Sequence, residues 1–158
     1  MKWTLPSELE EGEERAAGFV LFRTTHQQRQ YLLLRHNDGG HWAFPKGRLE
    51  PNEEEVEAAL REIFEETGMS QLSPVPGFCE TSSYTVRRNG QEKAKTVTYF
   101  LAEVREGHVV LSAEHTDYQW LTLTEAIATV TFDSSRRILK KANALLGAFG
   151  EREHGHPQ

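Results

Sequence analysis

The apolar residues of this chain change their spacing several times, and each change marks a new element. RAAGFVLFR (15–23) and QYLLLRH (30–36) are short, nearly continuous apolar runs. They predict two buried strands, separated by the polar turn TTHQQR. HNDGGHWAFPKGRLEPNEE (36–54) concentrates Gly, Pro and Asn and predicts a loop. From about Glu53 to Thr67 the spacing becomes helical, and Gly68 stands where a helix stop is expected. On a wheel of about 100° per residue, Val56, Ala59, Leu60, Ile63 and Phe64 gather on one side, which predicts the core face. Glu55, Glu62, Glu65 and Glu66 fall on the other.

Strand-like spacing returns in GFCETSSYTV (77–86), TVTYFLAEV (96–104), HVVLS (108–112) and DYQWLTL (117–123), with Asn89-Gly90 as a hairpin signal between the first two. TEAIATV (124–130) predicts a short helix, and SSRRILKKANALL (134–146) a longer one with Asp133 as its N-cap. There is no internal repeat and no low-complexity tract. Strands with one helix in the middle and one at the end predict an α/β fold, a mixed sheet with helices on both faces in an α/β/α layering. The polar start predicts a flexible acidic leader over residues 1–15, a single domain over 16–149 and a frayed tail over 150–158.

Composition narrows the function classes. At 158 residues the chain is long enough for one domain with a real core. A formal net charge of -6 argues against a broad basic surface for duplex nucleic acid. The lone Cys79 rules out a disulfide within the chain and a cysteine zinc site, and reads as a small strand residue. No signal-peptide core precedes the first strand, and no run is long enough to span a membrane, so a soluble cytoplasmic protein is expected.

The glutamates of the central helix raise the chemical question. Glu62, Glu65 and Glu66 lie three and four residues apart, a spacing at which like charges repel. They form either a solvated acidic face, with Glu53 to Glu55 at the positive helix start, or a site for a hard cation. Carboxylates suit Mg²⁺ or Mn²⁺, which commonly bridge such groups to substrate phosphates. The spacing decides. Gly47, five residues, Glu53, seven residues, then Arg61-Glu62-Ile63-Phe64-Glu65-Glu66-Thr67-Gly68-Met69 fits every defined position of G-x5-E-x7-R-E-U-x-E-E-x-G-U, where U is bulky and aliphatic.

This motif is the Nudix box, so the chain resembles the Nudix hydrolases, which cleave nucleoside diphosphates linked to another moiety. The resemblance implies a Nudix α/β/α sandwich with a loop–helix–loop metal site. It implies that Glu62, Glu65 and Glu66 hold Mg²⁺ or Mn²⁺, with the carbonyl of Gly47 as a further ligand. It implies that Arg61 orients a carboxylate by a charge-assisted hydrogen bond and that Glu53 supports the site from behind.

Residues outside the box bear on the substrate. Lys46, one residue ahead of the box, is either a surface lysine or a cation that neutralises a phosphate oxygen, and its place favours the second. His41 is either a phosphate donor or a loop residue. Glu114 is either half of a loop salt bridge or the base that takes a proton from attacking water. YLLLRHNDGGHWAFPKGRLEPNEEEVEAALRE, KAKTVTYFLAEV and LSAEHTDYQWLTLTEA resemble the asymmetrical diadenosine tetraphosphate hydrolases of animal and archaeal type, over about Ala16 to Ala144.

That likeness implies that Tyr84 and Phe132 sandwich an adenine and that Lys93 and Lys95 reach the polyphosphate. The competing roles are a hydrophobic staple for Phe132 and an exposed hairpin for the lysines. The expected activity is Mg²⁺-dependent hydrolysis of a dinucleoside polyphosphate to ATP and AMP. The partner is then a small nucleotide, not duplex nucleic acid or a membrane. An RNA 5′ end is the nearest alternative, although that branch of the family carries a glutamine where Lys46 stands. Diphosphoinositol, a nucleotide sugar and a non-catalytic nucleotide-binding domain are further readings. The intact Glu62, Glu65 and Glu66 argue against the last.

Overall fold

The structure, a computed structural model, describes residues 13–37, 39–105 and 109–154. Its strands are β1 (Glu13–Thr25), β2 (Gln28–His36), β3 (Trp42–Ala43), β4 (Lys46–Arg48), β5 (Leu72–Pro74), β6 (Glu80–Arg88), β7 (Gln91–Val104) and β8 (His115–Leu121). Three helices are described: α1 (Glu55–Thr67), α2 (Leu123–Thr129) and α3 (Asp133–His154).

All eight strands join one mixed sheet with the path β3-β2-β1-β7-β5; β4 adds to β1, β6 to β7 and β8 to β2. The centre is the parallel pair β1–β7, in register from Glu13↔Ala94 to Phe22↔Glu103, and the other pairings are antiparallel. Side chains alternate across this sheet and seed a core on each face. Ala17, Phe19, Leu21, Leu32 and Leu34 pack with Ala58, Ala59 and Ile63 of α1. Val20, Phe22, Tyr31, Leu33 and Leu101 pack with Ala126 of α2 and with Ile138, Leu139 and Ala142 of α3. The layering is therefore helix, sheet, helix, as expected.

Several boundaries and one face differ from the expectation. β1 takes in Glu13, Glu14 and Arg15, which the polarity assigned to the leader. The glycine-rich stretch holds the two short strands β3 and β4, too brief to show a period, and β5 was missed for the same reason. HVVLS is not a strand. His108 lies outside the described residues; Val110 and Ser112 donate their N–H groups to the carbonyls of Thr67 and Glu66, which lays this stretch across the end of α1. Asp133 is the first helical residue rather than the cap; its carboxylate pairs with Arg136 at 2.8 Å. α3 also continues past the expected end at residue 146 to His154.

The largest correction concerns α1. Val56, Leu60 and Phe64 are 41%, 42% and 57% exposed, whereas Glu66 is only 4% exposed. The helix docks through Ala58, Ala59 and Ile63, whose small or slim side chains let it lie close on β1. That contact rotates Leu60 and Phe64 outward and turns Glu62 and Glu66 toward β4. Glu62 and Glu66 are thus on the inner side of the helix, while Glu65 stays exposed.

Candidate active site

Two helix ends and a close approach of backbone set the position of the carboxylates. At the start of α1 the Glu57 carboxylate accepts the Glu54 N–H at 2.9 Å. At its end Gly68 adopts φ 75, and its N–H returns to the Phe64 carbonyl at 2.8 Å. Between them the helix presents Glu62 to Gly47 of β4. A Cβ on Gly47 would fall 1.8 Å from Cδ of Glu62, so only glycine lets this carboxylate lie against the strand. Next to it, the Lys46 N–H donates to Oε1 of Glu66 at 3.1 Å.

Arg61 organises the outer part of the box. Its Nε and Nη2 donate to Glu53 at 2.7 and 3.0 Å, and Nη2 also reaches the Arg48 carbonyl at 2.9 Å. Its Nη1 meets Glu62 at 2.8 Å and Glu65 at 3.1 Å. Hydrogen bonds to Glu53, and then to Glu62, hold the guanidinium pKa well above its ordinary value. Glu53 is lowered, chiefly by its bond to Arg61. Glu53 is therefore the rigid anchor of Arg61, and Arg61 in turn fixes Glu62 and Glu65.

Burial pushes the Glu66 carboxyl up to about 8, with the nearby charges of Glu62 and Glu114 adding to the shift. Glu62 is also raised, first by burial. Lys46 is lowered by burial, against the pull of Glu66 and Glu62. Carboxylates brought together out of water at this cost suit a divalent cation, whose charge would reverse the penalty. The oxygen-only donor set of Glu62, Glu65, Glu66 and the Gly47 backbone fits a hard cation. Among the described residues no three acidic, imidazole or thiol side chains stand gathered as a finished ligand cluster; Glu62 and Glu65 share Arg61 instead.

These groups open onto a cleft of about 1030 Å³. Of the residues singled out from the sequence, Lys46, Gly47, Glu62, Glu65, Glu66, His41, Tyr84, Lys95, Glu114 and Phe132 line it. Arg61 stands behind the carboxylates. Lys93 shares a face of β7 with Lys95 but is two residues nearer the hairpin, and it does not line the cleft. Tyr84 and Phe132 are 42% and 47% exposed, so neither ring is a core residue and Phe132 is not a buried staple. Glu114 is held by its backbone, whose carbonyl accepts the Asn37 N–H at 2.9 Å.

Sequence reasoning missed the histidine stack beside Glu114. His36 lies 4.4 Å from His41 and 4.6 Å from His115, ring centre to ring centre, and His41 lies 5.4 Å from Phe132. Burial, with Lys46 and the other two histidines, pushes His36 down to about 3. It is an uncharged ring at neutral pH. His36 and His115 face each other where β2 pairs with β8, a pairing that no local spacing announces. Arg88 was also missed, although it lies four residues from Tyr84 along β6, two strand repeats, and so on the same face.

The NUDIX domain profile matches residues 12–142. The asymmetrical bis(5′-nucleosyl)-tetraphosphatase of Mus musculus is 39% identical over 143 residues, covering 84% of this chain and 95% of the relative. The Caenorhabditis elegans protein of the same name is 34% identical over 139 residues, covering 85% and 98%. A crystal structure of a C. elegans Ap4A hydrolase binary complex is similar with a TM-score of 0.79, at 34% identity, over 85% of this chain and 98% of that one.

Proposed function

The chain belongs to the NUDIX domain family, and from that premise we propose that it is a pyrophosphohydrolase that splits diadenosine tetraphosphate into ATP and AMP. The observation that carries the reading is that one cleft is lined by the carboxylates of the box, by cations that include Lys46 and Lys95, and by two exposed rings (Tyr84 and Phe132). Such a lining matches a ligand that is anionic in the middle and aromatic at its end.

Nudix hydrolases generally use a divalent metal, and we take it to be Mg²⁺, held by Glu62, Glu65, Glu66 and the Gly47 carbonyl. Bound there, it would neutralise phosphate charge and favour deprotonation of the attacking water. The protein's own groups do the rest. Lys46 sets an ammonium beside the carboxylates and offsets charge that develops on a phosphoryl oxygen. Glu114 accepts the proton of the attacking water. Arg61, anchored on Glu53, keeps Glu62 and Glu65 in reach. Tyr84 and Phe132 stack an adenine, a contact worth about 1–3 kcal/mol per base. The His41 ring backs Phe132. Lys95 meets the polyphosphate from β7. Among the described residues no helix is long and apolar enough to cross a membrane, and we place the activity in the cytoplasm.

The test is product identification. With Mg²⁺ and diadenosine tetraphosphate, chromatography should show ATP and AMP in equal amounts. Two ADP per turnover, or no product with Mg²⁺ or Mn²⁺, would overturn the proposal.

A further inference from the structure

The cleft contains a second group of charges, contributed by β1, β4, β6 and β7. Glu14 of β1 is 6% exposed. Its carboxylate accepts from Nη2 of Arg88 at 3.1 Å, and its other oxygen is ion-paired with Nε of the same guanidinium at 2.7 Å without hydrogen-bond alignment. It also faces Nη2 of Arg48 at 3.5 Å. In the parallel register Glu14 lies beside Lys95, which is 9% exposed. Arg48, Arg88 and Lys95 all line the cleft. Three cations against one buried carboxylate leave this wall with a surplus of two positive charges.

Gathering like charges around a buried ammonium destabilises a fold. Lys95 registers this: burial, and then the charges of Lys46, Arg88 and Arg48 working against Glu14, push its ammonium down to about 8. An anionic ligand relieves the cost. Arg88 is also equipped to meet one. Of its five N–H donors, one is hydrogen-bonded to Glu14 and one to the Arg87 carbonyl at 3.1 Å, while Nε meets Glu14 as an ion pair. Two Nη donors remain. The ion pair and the hydrogen bond to Glu14 hold the guanidinium in place, so that these donors are preorganised.

We infer that Arg88, oriented by buried Glu14, is a specificity-determining residue that binds the polyphosphate chain beyond the phosphates at the carboxylates, so that the cleft favours longer polyphosphates over shorter ones. This rests on the reading of the cleft as a dinucleoside polyphosphate site. It adds to that reading a residue from the β6–β7 hairpin whose task is to select chain length.

The experiment compares wild type with Arg88→Gln and Arg88→Lys. Two quantities are measured: kcat and KM for diadenosine tetraphosphate and triphosphate, and equilibrium binding of inorganic tripolyphosphate. Loss of a charge-assisted hydrogen bond predicts that Arg88→Gln raises KM for the tetraphosphate about tenfold, with kcat within about twofold. KM for the triphosphate should change less, and the Kd of tripolyphosphate should rise in step with the tetraphosphate KM. Arg88→Lys keeps the charge but not the planar fork, and should recover only part of the loss. That variant also carries the test if Arg88→Gln misfolds with Glu14 left short of a partner. Unchanged KM and Kd, or an equal loss for both substrates, would overturn the inference. If the wild type hydrolyses neither dinucleotide, the proposed activity fails, and tripolyphosphate binding then decides the role of Arg88 by itself.

Discussion

Gly47→Ala separates the chemistry of the site from the stability of the fold. Gly47 does not occupy the left-handed backbone region, so an alanine there introduces no backbone strain. Its Cβ, however, would fall 1.8 Å from Cδ, 2.2 Å from Oε1 and 2.3 Å from Cγ of Glu62. Real contacts of this kind stay beyond 3.0 Å, so the carboxyl carbon must retreat by at least 1.2 Å. The retreat pulls Glu62 off β4 and disturbs its 2.8 Å link to Arg61. Glu62 is a flexible side chain, so the fold absorbs the change, and the melting temperature should move little. A displacement of about 1 Å at a reacting centre can cost roughly 100-fold in rate, or about 2.7 kcal/mol. Steady-state hydrolysis of diadenosine tetraphosphate across a Mg²⁺ titration should show kcat/KM lower by about that factor, with half-saturation moved to higher Mg²⁺. A variant with near wild-type kcat/KM and an unchanged Mg²⁺ requirement would refute the role given to the Gly47–Glu62 contact.

Other substitutions test other walls of the cleft. Tyr84→Ala and Phe132→Ala should each raise KM by roughly 5- to 150-fold, the equivalent of about 1–3 kcal/mol of stacking, while the exposure of both rings leaves the melting temperature near wild type. KM values equal to wild type in steady-state kinetics would remove them from the site. Lys95→Met addresses stability. The folded pKa of Lys95 is about 8 against an ordinary 10.5, so the unfolded chain binds the proton more tightly. Its contribution is most favourable above pH 10.5 and is lost as pH falls through 8. Urea denaturation should therefore find Lys95→Met more stable than wild type at pH 7, by up to roughly 3 kcal/mol, with the gap closing toward pH 10.5 and with a raised KM for substrate. A variant less stable than wild type at pH 7 would contradict the burial argument.

The layering was legible because it rests on spacing. Apolar runs such as Phe19 to Phe22 and Tyr31 to Leu34 identify the central strands, and the box places Gly47, Arg61 and the glutamates by counting alone. The orientation of α1 was not legible. A wheel weights Val56, Leu60 and Phe64 by hydrophobicity, but docking follows shape, and Ala58 and Ala59 allow the closer approach. The leader boundary failed for a related reason. Glu14 reads as a surface residue until Arg88, 74 positions away, is brought to it. His36 and His115 carry no local signal, because they meet only where the end of β2 pairs with the start of β8 and the loop bearing His41 folds over them. Lys93 and Lys95 look equivalent in KAK, yet the end of the cleft falls between them.

The central claim is that this cleft acts on a dinucleoside tetraphosphate and cuts it unequally. A substrate panel run with ¹⁸O-labelled water tests it most directly. The panel holds dinucleoside tri-, tetra- and pentaphosphates, triphosphorylated RNA, ADP-ribose and a nucleotide sugar. The account predicts the highest kcat/KM for diadenosine tetraphosphate, with the label in either ATP or AMP and none in ADP. Highest kcat/KM for triphosphorylated RNA or ADP-ribose, with the dinucleotides poorest, would contradict it.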